Sequence, residues 1–246
     1  MSLKKTIKKN ILLEGKTKKV YSSENPFEVI IHYKDDITSL NGLKRNVIPD
    51  KGILNNEITT FIFNLLNNSG IKTHFIRKIN NREQLCHKVN IYPLEFVVRN
   101  IVSGSLSKRL GMKEGMRISN PIFEIFYKND NLKDPLINDH HAVFLQIISY
   151  KELSDIYKII SNINNVLKKY LFDKNIILVD FKMEFGKDKK NQILLSDEIS
   201  PDTCRLWDKK TMKKLDKDQF RMGFKEEKIM DVYMEVLKRL NISSSN

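Results

Sequence analysis

The sequence predicts an α+β protein in two lobes, and three observations carry the prediction. The first hundred residues are short β-rich runs interrupted by one helical stretch. Two longer segments further on place apolar residues at helical spacing. Between those segments lies a pair of runs in which apolar and charged residues alternate, as in a half-buried hairpin. With 246 residues, 41% of them apolar, the chain can bury a sizeable core.

In chain order, NILLEGKTKKVYSS, PFEVIIHY, KTHFIRKI and QLCHKVN read as strands of a meandering antiparallel sheet, because Gly, Asn and Pro punctuate them. After the second run, Ile53, Leu54, Ile58, Phe61, Ile62, Leu65 and Leu66 recur at helical spacing, and Gly70 stands where a C-terminal cap belongs. In VVRNIVSGSLSKRLG a β-branched strand delivers Arg99 to a Ser-Gly-Ser turn that opens into a helix-like segment. The long run KELSDIYKIISNINNVLKKYLFDK carries Leu153, Ile156, Ile160, Ile163, Val166, Leu167 and Tyr170 as one stripe. Next comes LVDFKMEFG, a strand with Val179, Phe181, Met183 and Phe185 on one face and Asp180, Lys182 and Glu184 on the other. Beyond the turn-like GKDKKNQ, ILLSDEIS is its hairpin partner. A final helix is expected over roughly Asp218 to Leu240, with NISSSN as a frayed end. The lobes are expected to divide near Asn100, into residues 1–98 and 99–246.

A formal charge of +13 raises nucleic acid as a partner, but the lysines spread along the whole chain and no RNA-binding aromatic signature, zinc finger or heptad array accompanies them. Small anionic substrates are the expected partners instead, with no nucleic acid and no membrane. No apolar run is long enough to span a bilayer, and the lysine-rich start lacks the pattern of a signal peptide, so a cytoplasmic protein is expected. Cys86 and Cys204 stand alone, in neither a disulfide framework nor a zinc motif.

Four groups of residues could carry chemistry. In EGKTKK, Lys16 and Lys18 would project from one strand face and suit phosphates; solvated surface lysines are the alternative. Arg99 and Ser105 could form a phosphate cradle at a helix start, unless Ser103 or Ser105 simply caps that helix. Glu184 and Asp197 would share one face of the hairpin, where two carboxylates suit a magnesium ion completed by waters and nucleotide phosphates. A solvent-facing hairpin with weak ion pairs is the alternative there. In SPDTCRLWD, Arg205 could bind a carboxylate or phosphate with its forked donors. Together these groups point to phosphoryl chemistry on an anionic substrate.

The segments EGKTKKVY, KGILNNEITTFIF, VVRNIVSGSLSKRLG, KNDNLKDPLIND, LVDFKMEFG and LSDEISPDTCRLWD, in this order and spacing, closely resemble the phosphoribosylaminoimidazole-succinocarboxamide synthases (SAICAR synthetases) of purine biosynthesis. The resemblance runs from about Ile11 to Leu240. It implies an ATP-dependent ligase that joins L-aspartate to the carboxylate of carboxyaminoimidazole ribotide (CAIR), with a two-lobed fold related to ATP-grasp enzymes, Mg2+ as cofactor and a homodimer as assembly. It further implies that Lys16 and Lys18 hold ATP phosphates and that Glu184 and Asp197 bind magnesium. Arg99, Ser105 and Arg205 would grip the ribotide phosphate, and Lys182 would orient a carboxylate or the transferred phosphoryl. Glu95 would lie near the imidazole amine, with Asp202 and Arg221 lining the substrate pocket. A small-molecule kinase using the same lysines and carboxylates is the alternative. The segment ITSLNG departs from the family's usual TSAGDG by placing Asn41 at an acidic position, and the adjacent His140 and His141 are expected at the surface or at an interface.

Overall fold

The computed structural model describes residues 7–39 and 44–240, so Asn41 and the terminal NISSSN lie outside the described residues. The first part of the chain forms β1 (Ile11–Glu14), β2 (Lys18–Ser22), β3 (Glu28–Tyr33), β4 (Asp36–Ser39), β5 (Lys44–Val47), α1 (Lys51–Asn68), β6 (Phe75–Asn80) and β7 (Glu83–His87). The remainder forms β8 (Asn90–Ile91), β9 (Leu94–Ile101), α2 (Gly104–Leu110), β10 (Arg117–Tyr127), β11 (Leu136–Ile137), α3 (Asp139–Phe144) and α4 (Tyr150–Asp173). It ends with β12 (Ile176–Lys187), β13 (Ile193–Ser196), β14 (Cys204–Asp208), α5 (Asp218–Arg221) and α6 (Glu226–Arg239).

The expected α+β architecture holds. The early strands make one antiparallel sheet in the order β1-β2-β3-β7-β6, while β11-β10-β9-β12-β13 form the path of a second, on which β8 and β14 also pair with β12. Residue 98, where the lobes were expected to divide, falls inside β9. Helix α1 closes as anticipated: Gly70 N–H bonds to Asn67 O and Ile71 N–H to Leu66 O, the paired hydrogen bonds of a Schellman end. Three expectations are corrected. The NILLEGKTKKVYSS run is a hairpin, because Gly15 to Thr17 form a turn between β1 and β2. The final helix is broken into α5 and α6 at Gly223, whose φ of 84° a side chain would strain. The long strand β10 and the strand β14 were not anticipated, since neither shows clean alternation.

The centre of the fold is β12. Phe181, Met183 and Phe185 are fully buried and pack in one core with Leu153, Ile156, Ile160, Ile163 and Leu167 of the α4 stripe. That apolar face leaves the opposite face free for charge. Asp180 is in register with Arg99 of β9 on one side and Arg205 of β14 on the other. Cross-strand partners share a face, so two guanidinium groups converge on one carboxylate.

Candidate active site

A cleft of about 930 Å3 is lined by residues of the first sheet and of the β12–β13 hairpin. Of the residues singled out in the sequence, Lys16, Lys18, Glu95, Lys182, Glu184, Asp197 and Asp202 line it. Lys16 and Lys18 do not share a strand face: Lys16 sits in the turn, with Nζ 3.3 Å from Asp130 Oδ1, and Lys18 begins β2. The Lys18 ammonium bonds to Asp197 and lies 2.8 Å from Glu198 Oε1. Lys182 Nζ is 2.9 Å from Glu95 Oε2, and Lys128 Nζ is 2.6 Å from Glu184 Oε1.

The hairpin register sets Ser196, the residue before Asp197, opposite Glu184. Asp197 then adopts a left-handed backbone, φ 63°, which breaks the strand alternation, and both carboxylates line the cleft. Neither is solvated as an exposed hairpin would require, for Glu184 is buried and the Asp197 side chain nearly so.

Burial pushes the Glu184 carboxyl above its ordinary pKa, and the Asp197 charge pushes it further, against Lys128 and Lys182. For Asp197 burial also opposes ionisation, but Lys18 and Lys182 prevail and hold it well below the usual carboxylate range. Burial disfavours charge on Lys18 and Lys182 too. Asp197 and Glu198 nevertheless raise the first well above an ordinary lysine, and Glu95 and Asp197 raise the second. The site is therefore a compensated lattice of fixed charges.

Arg99, Ser105, Arg205 and Arg221 gather separately, around Asp180 and Asp218. Arg99 donates to Asp180 Oδ2 at 2.8 Å, to Glu124 Oε2 at 3.0 Å and to Ser105 Oγ at 3.0 Å. Arg205 donates to Asp180 Oδ2 at 2.8 Å and Asp218 Oδ2 at 3.0 Å, and Arg221 also bonds Asp218. Neither serine caps α2, because Ser103 Oγ donates to Glu114 Oε1 at 2.7 Å while Ser105 accepts from Arg99. Gly104, at φ 57°, lets the Arg205 guanidinium lie against the turn, where a Cβ would come within 2.5 Å of its Nη2.

Several functional candidates carried no usable signal in the sequence. Lys128 lies in the quoted KNDNLKDPLIND, but nothing local pairs it with Glu184. Glu124, the anchor of Arg99, lies on the unanticipated β10. His74 lines the cleft at 3% exposure, with no partner for Nε2 among the described residues, and burial lowers its pKa to about 4. Asp202 is structural as well as cleft-lining, since Lys51, Asn55 and Tyr233 donate to its two oxygens at 2.5, 2.8 and 2.7 Å. His140 and His141 are exposed, one bonded to Tyr150 and the other within the N-terminal cap of α3. Cys86 and Cys204 are free and buried, and burial raises both thiols.

Comparison with known proteins gives this cleft a context. The family model described as SAICAR synthetase matches residues 11–240. The chain belongs to the SAICAR synthetase family. It is 57% identical over 233 residues to the phosphoribosylaminoimidazole-succinocarboxamide synthase of Fusobacterium nucleatum, covering 95% of this chain and 98% of that one. The crystal structure of the synthase from Ehrlichia chaffeensis superposes with a TM-score of 0.92 at 44% identity, covering 96% and 100% of the two chains. A type-2 SAICAR synthetase solved in complex with ADP superposes with a TM-score of 0.90 at 46% identity, covering 95% and 99%. As a member of that family the chain is an ATP-dependent ligase of purine biosynthesis, and the kinase alternative is not favoured. No described helix is long and apolar enough to cross a membrane.

Proposed function

We infer that this enzyme joins L-aspartate to the carboxylate of CAIR, with ATP converted to ADP and phosphate through an acyl phosphate. One observation carries the reading: the cleft sets Lys16 and Lys18 of the first sheet together with Lys182, Glu184 and Asp197 of the hairpin. A carboxylate is a poor electrophile, and phosphorylation supplies the leaving group that the aspartate amine displaces. Lys16 and Lys18 would neutralise the charge that gathers on the transferred phosphoryl. Lys182, held by Glu95, would orient the acceptor carboxylate, while Glu95 would face the amine of the imidazole.

The ribotide phosphate would be held at the arginine cluster. There Arg99, Arg109, Arg205 and Arg221 share three carboxylates, Glu124, Asp180 and Asp218, which leaves positive charge for an anion. Arg221 and Asp202 would complete the substrate wall.

The donors in the cleft fit magnesium. Glu184 and Asp197 offer hard oxygens, and their mutual repulsion, which helps to raise the Glu184 carboxyl, is what a divalent cation relieves. When bound, the ion would supply electrostatic stabilisation of the phosphoryl group. Residues 1–98 form the nucleotide lobe in this reading and 99–246 the metal and substrate lobe, in a cytoplasmic homodimer. The test is ADP and product formation by the purified protein with MgATP, omitting CAIR, aspartate and magnesium in turn. Succinocarboxamide product only in the complete mixture supports the ligase reading; ADP formed equally without aspartate points to a kinase.

A further inference from the structure

Lys217 differs from the other lysines and arginines of the cleft, of which Arg45 and Lys88 are exposed and the rest are paired. Lys16, Lys18, Lys34, Lys128 and Lys182 each lie within ion-pair distance of at least one carboxylate. Lys217 lines the same cleft at only 9% exposure, yet its ammonium makes no hydrogen bond or ion pair among the described residues. Asp202 is its principal neighbouring charge, and the oxygens of Asp202 are already taken by Lys51, Asn55 and Tyr233. The backbone beneath it is well anchored. Lys217 N–H bonds to Pro201 O at 3.2 Å, and the preceding Asp216 accepts from Leu206 N and Asp218 N, both at 2.7 Å.

An ammonium on so enclosed a side chain, facing a cleft and without a carboxylate partner, is poorly compensated, and a fold that holds one there has a place for an anion. Burial lowers the Lys217 pKa, Asp202 opposes that, and the positive charges of Lys51, Arg221 and Lys182 lower it again. An arriving carboxylate would relieve both the burial and the repulsion.

We propose that Lys217 is a substrate-binding residue that receives a carboxylate of one of the two acid substrates, across the cleft wall it shares with Lys182. The assignment rests on the ligase reading above. Aspartate and the ribotide offer the same chemistry, so the test separates them. KM for aspartate, for the ribotide and for ATP is measured for the parent, Lys217→Met and Lys217→Arg, together with thermal melting.

Lys217→Met removes the charge-assisted hydrogen bond to the substrate and should raise KM for one of the two acids about tenfold or more. KM for ATP should stay unchanged and the melting temperature should not fall, because no partner is orphaned. Lys217→Arg should fall between the two. An active parent whose Met variant has unchanged KM for both acids overturns the assignment, as does a rise for ATP alone or a uniform loss with a lowered melting temperature. A parent that forms no product in the complete mixture overturns the ligase reading, and the Lys217 assignment with it.

Discussion

The ammonium of Lys18, at the start of β2, bridges Asp197 and Glu198 at the end of the β12–β13 hairpin, 2.8 Å from Glu198 Oε1. This bridge ties a lysine of the first sheet proposed to bind phosphate to a carboxylate proposed to hold magnesium. Replacing Lys18 by Met leaves two largely buried carboxylates without their cation. Urea unfolding should register a loss of about 2–4 kcal/mol, reduced from the fully buried case by partial solvent access, and ADP formation should cease. Stability equal to the parent would refute the charge lattice.

Glu184→Gln should have the opposite balance. The substitution removes one of two repelling carboxylates, so the melting temperature should hold or rise slightly. Activity should nevertheless fall by about a hundredfold or more through loss of electrostatic stabilisation. Near-normal turnover at saturating magnesium would sink the metal assignment.

Asp202→Asn tests the buried tie between α1 and α6. Lys51 is fully buried, and Asp202 is its only ion-pair partner among the described residues. Leaving its charge unpaired should cost about 3–5 kcal/mol in chemical denaturation. An effect confined to substrate binding, with unfolding unchanged, would show that the network is not what holds α1 in place.

Gly104→Ala places a Cβ against the Arg205 guanidinium on a left-handed backbone. Backbone strain alone should lower stability by about 1 kcal/mol. Displacement of Arg205 should raise KM for the ribotide while KM for ATP stays constant. Equal effects on both substrates would dissociate the arginine cluster from ribotide binding.

His74 sets an acid-side dependence of stability. Burial lowers its pKa from 6.5 to about 4, so between those values the unfolded chain binds more protons than the folded one. Stability contributed by the neutral imidazole is present above pH 6.5 and is lost as pH falls toward 4, by up to about 3 kcal/mol. In metal-free buffer, unfolding of His74→Gln followed between neutral and mildly acidic pH should show a shallower decline than the parent. Parallel curves would place the titration elsewhere.

How far the site could be read in advance differed with the kind of residue. LVDFKMEFG announced both its core face and its charged face, because a strand displays its alternation within a few residues. Lys18, Lys182, Glu184 and Asp197 were likewise found from local patterns, and the structure brings them to one cleft. Arg99, Ser105 and Arg205 were expected together and are together, yet their shared neighbour Asp180 was not assigned. His74 and Lys217 carried no signal at all, for an unpartnered nitrogen is visible only once its surroundings are known.

What the sequence by itself determined is therefore periodic and local: the strands of the first sheet, helices α1 and α4 with the apolar stripe of α4, the buried face of β12 and the family motifs from Ile11 to Leu240. The tertiary structure decided which charges meet. Lys18 and Asp197 are 179 positions apart, and Arg99 and Asp180 are 81. Hydrophobic spacing records which face a segment buries, whereas the partner of a polar side chain, and so its pKa and its freedom to bind a substrate, depends on segments that only folding brings within a few ångströms.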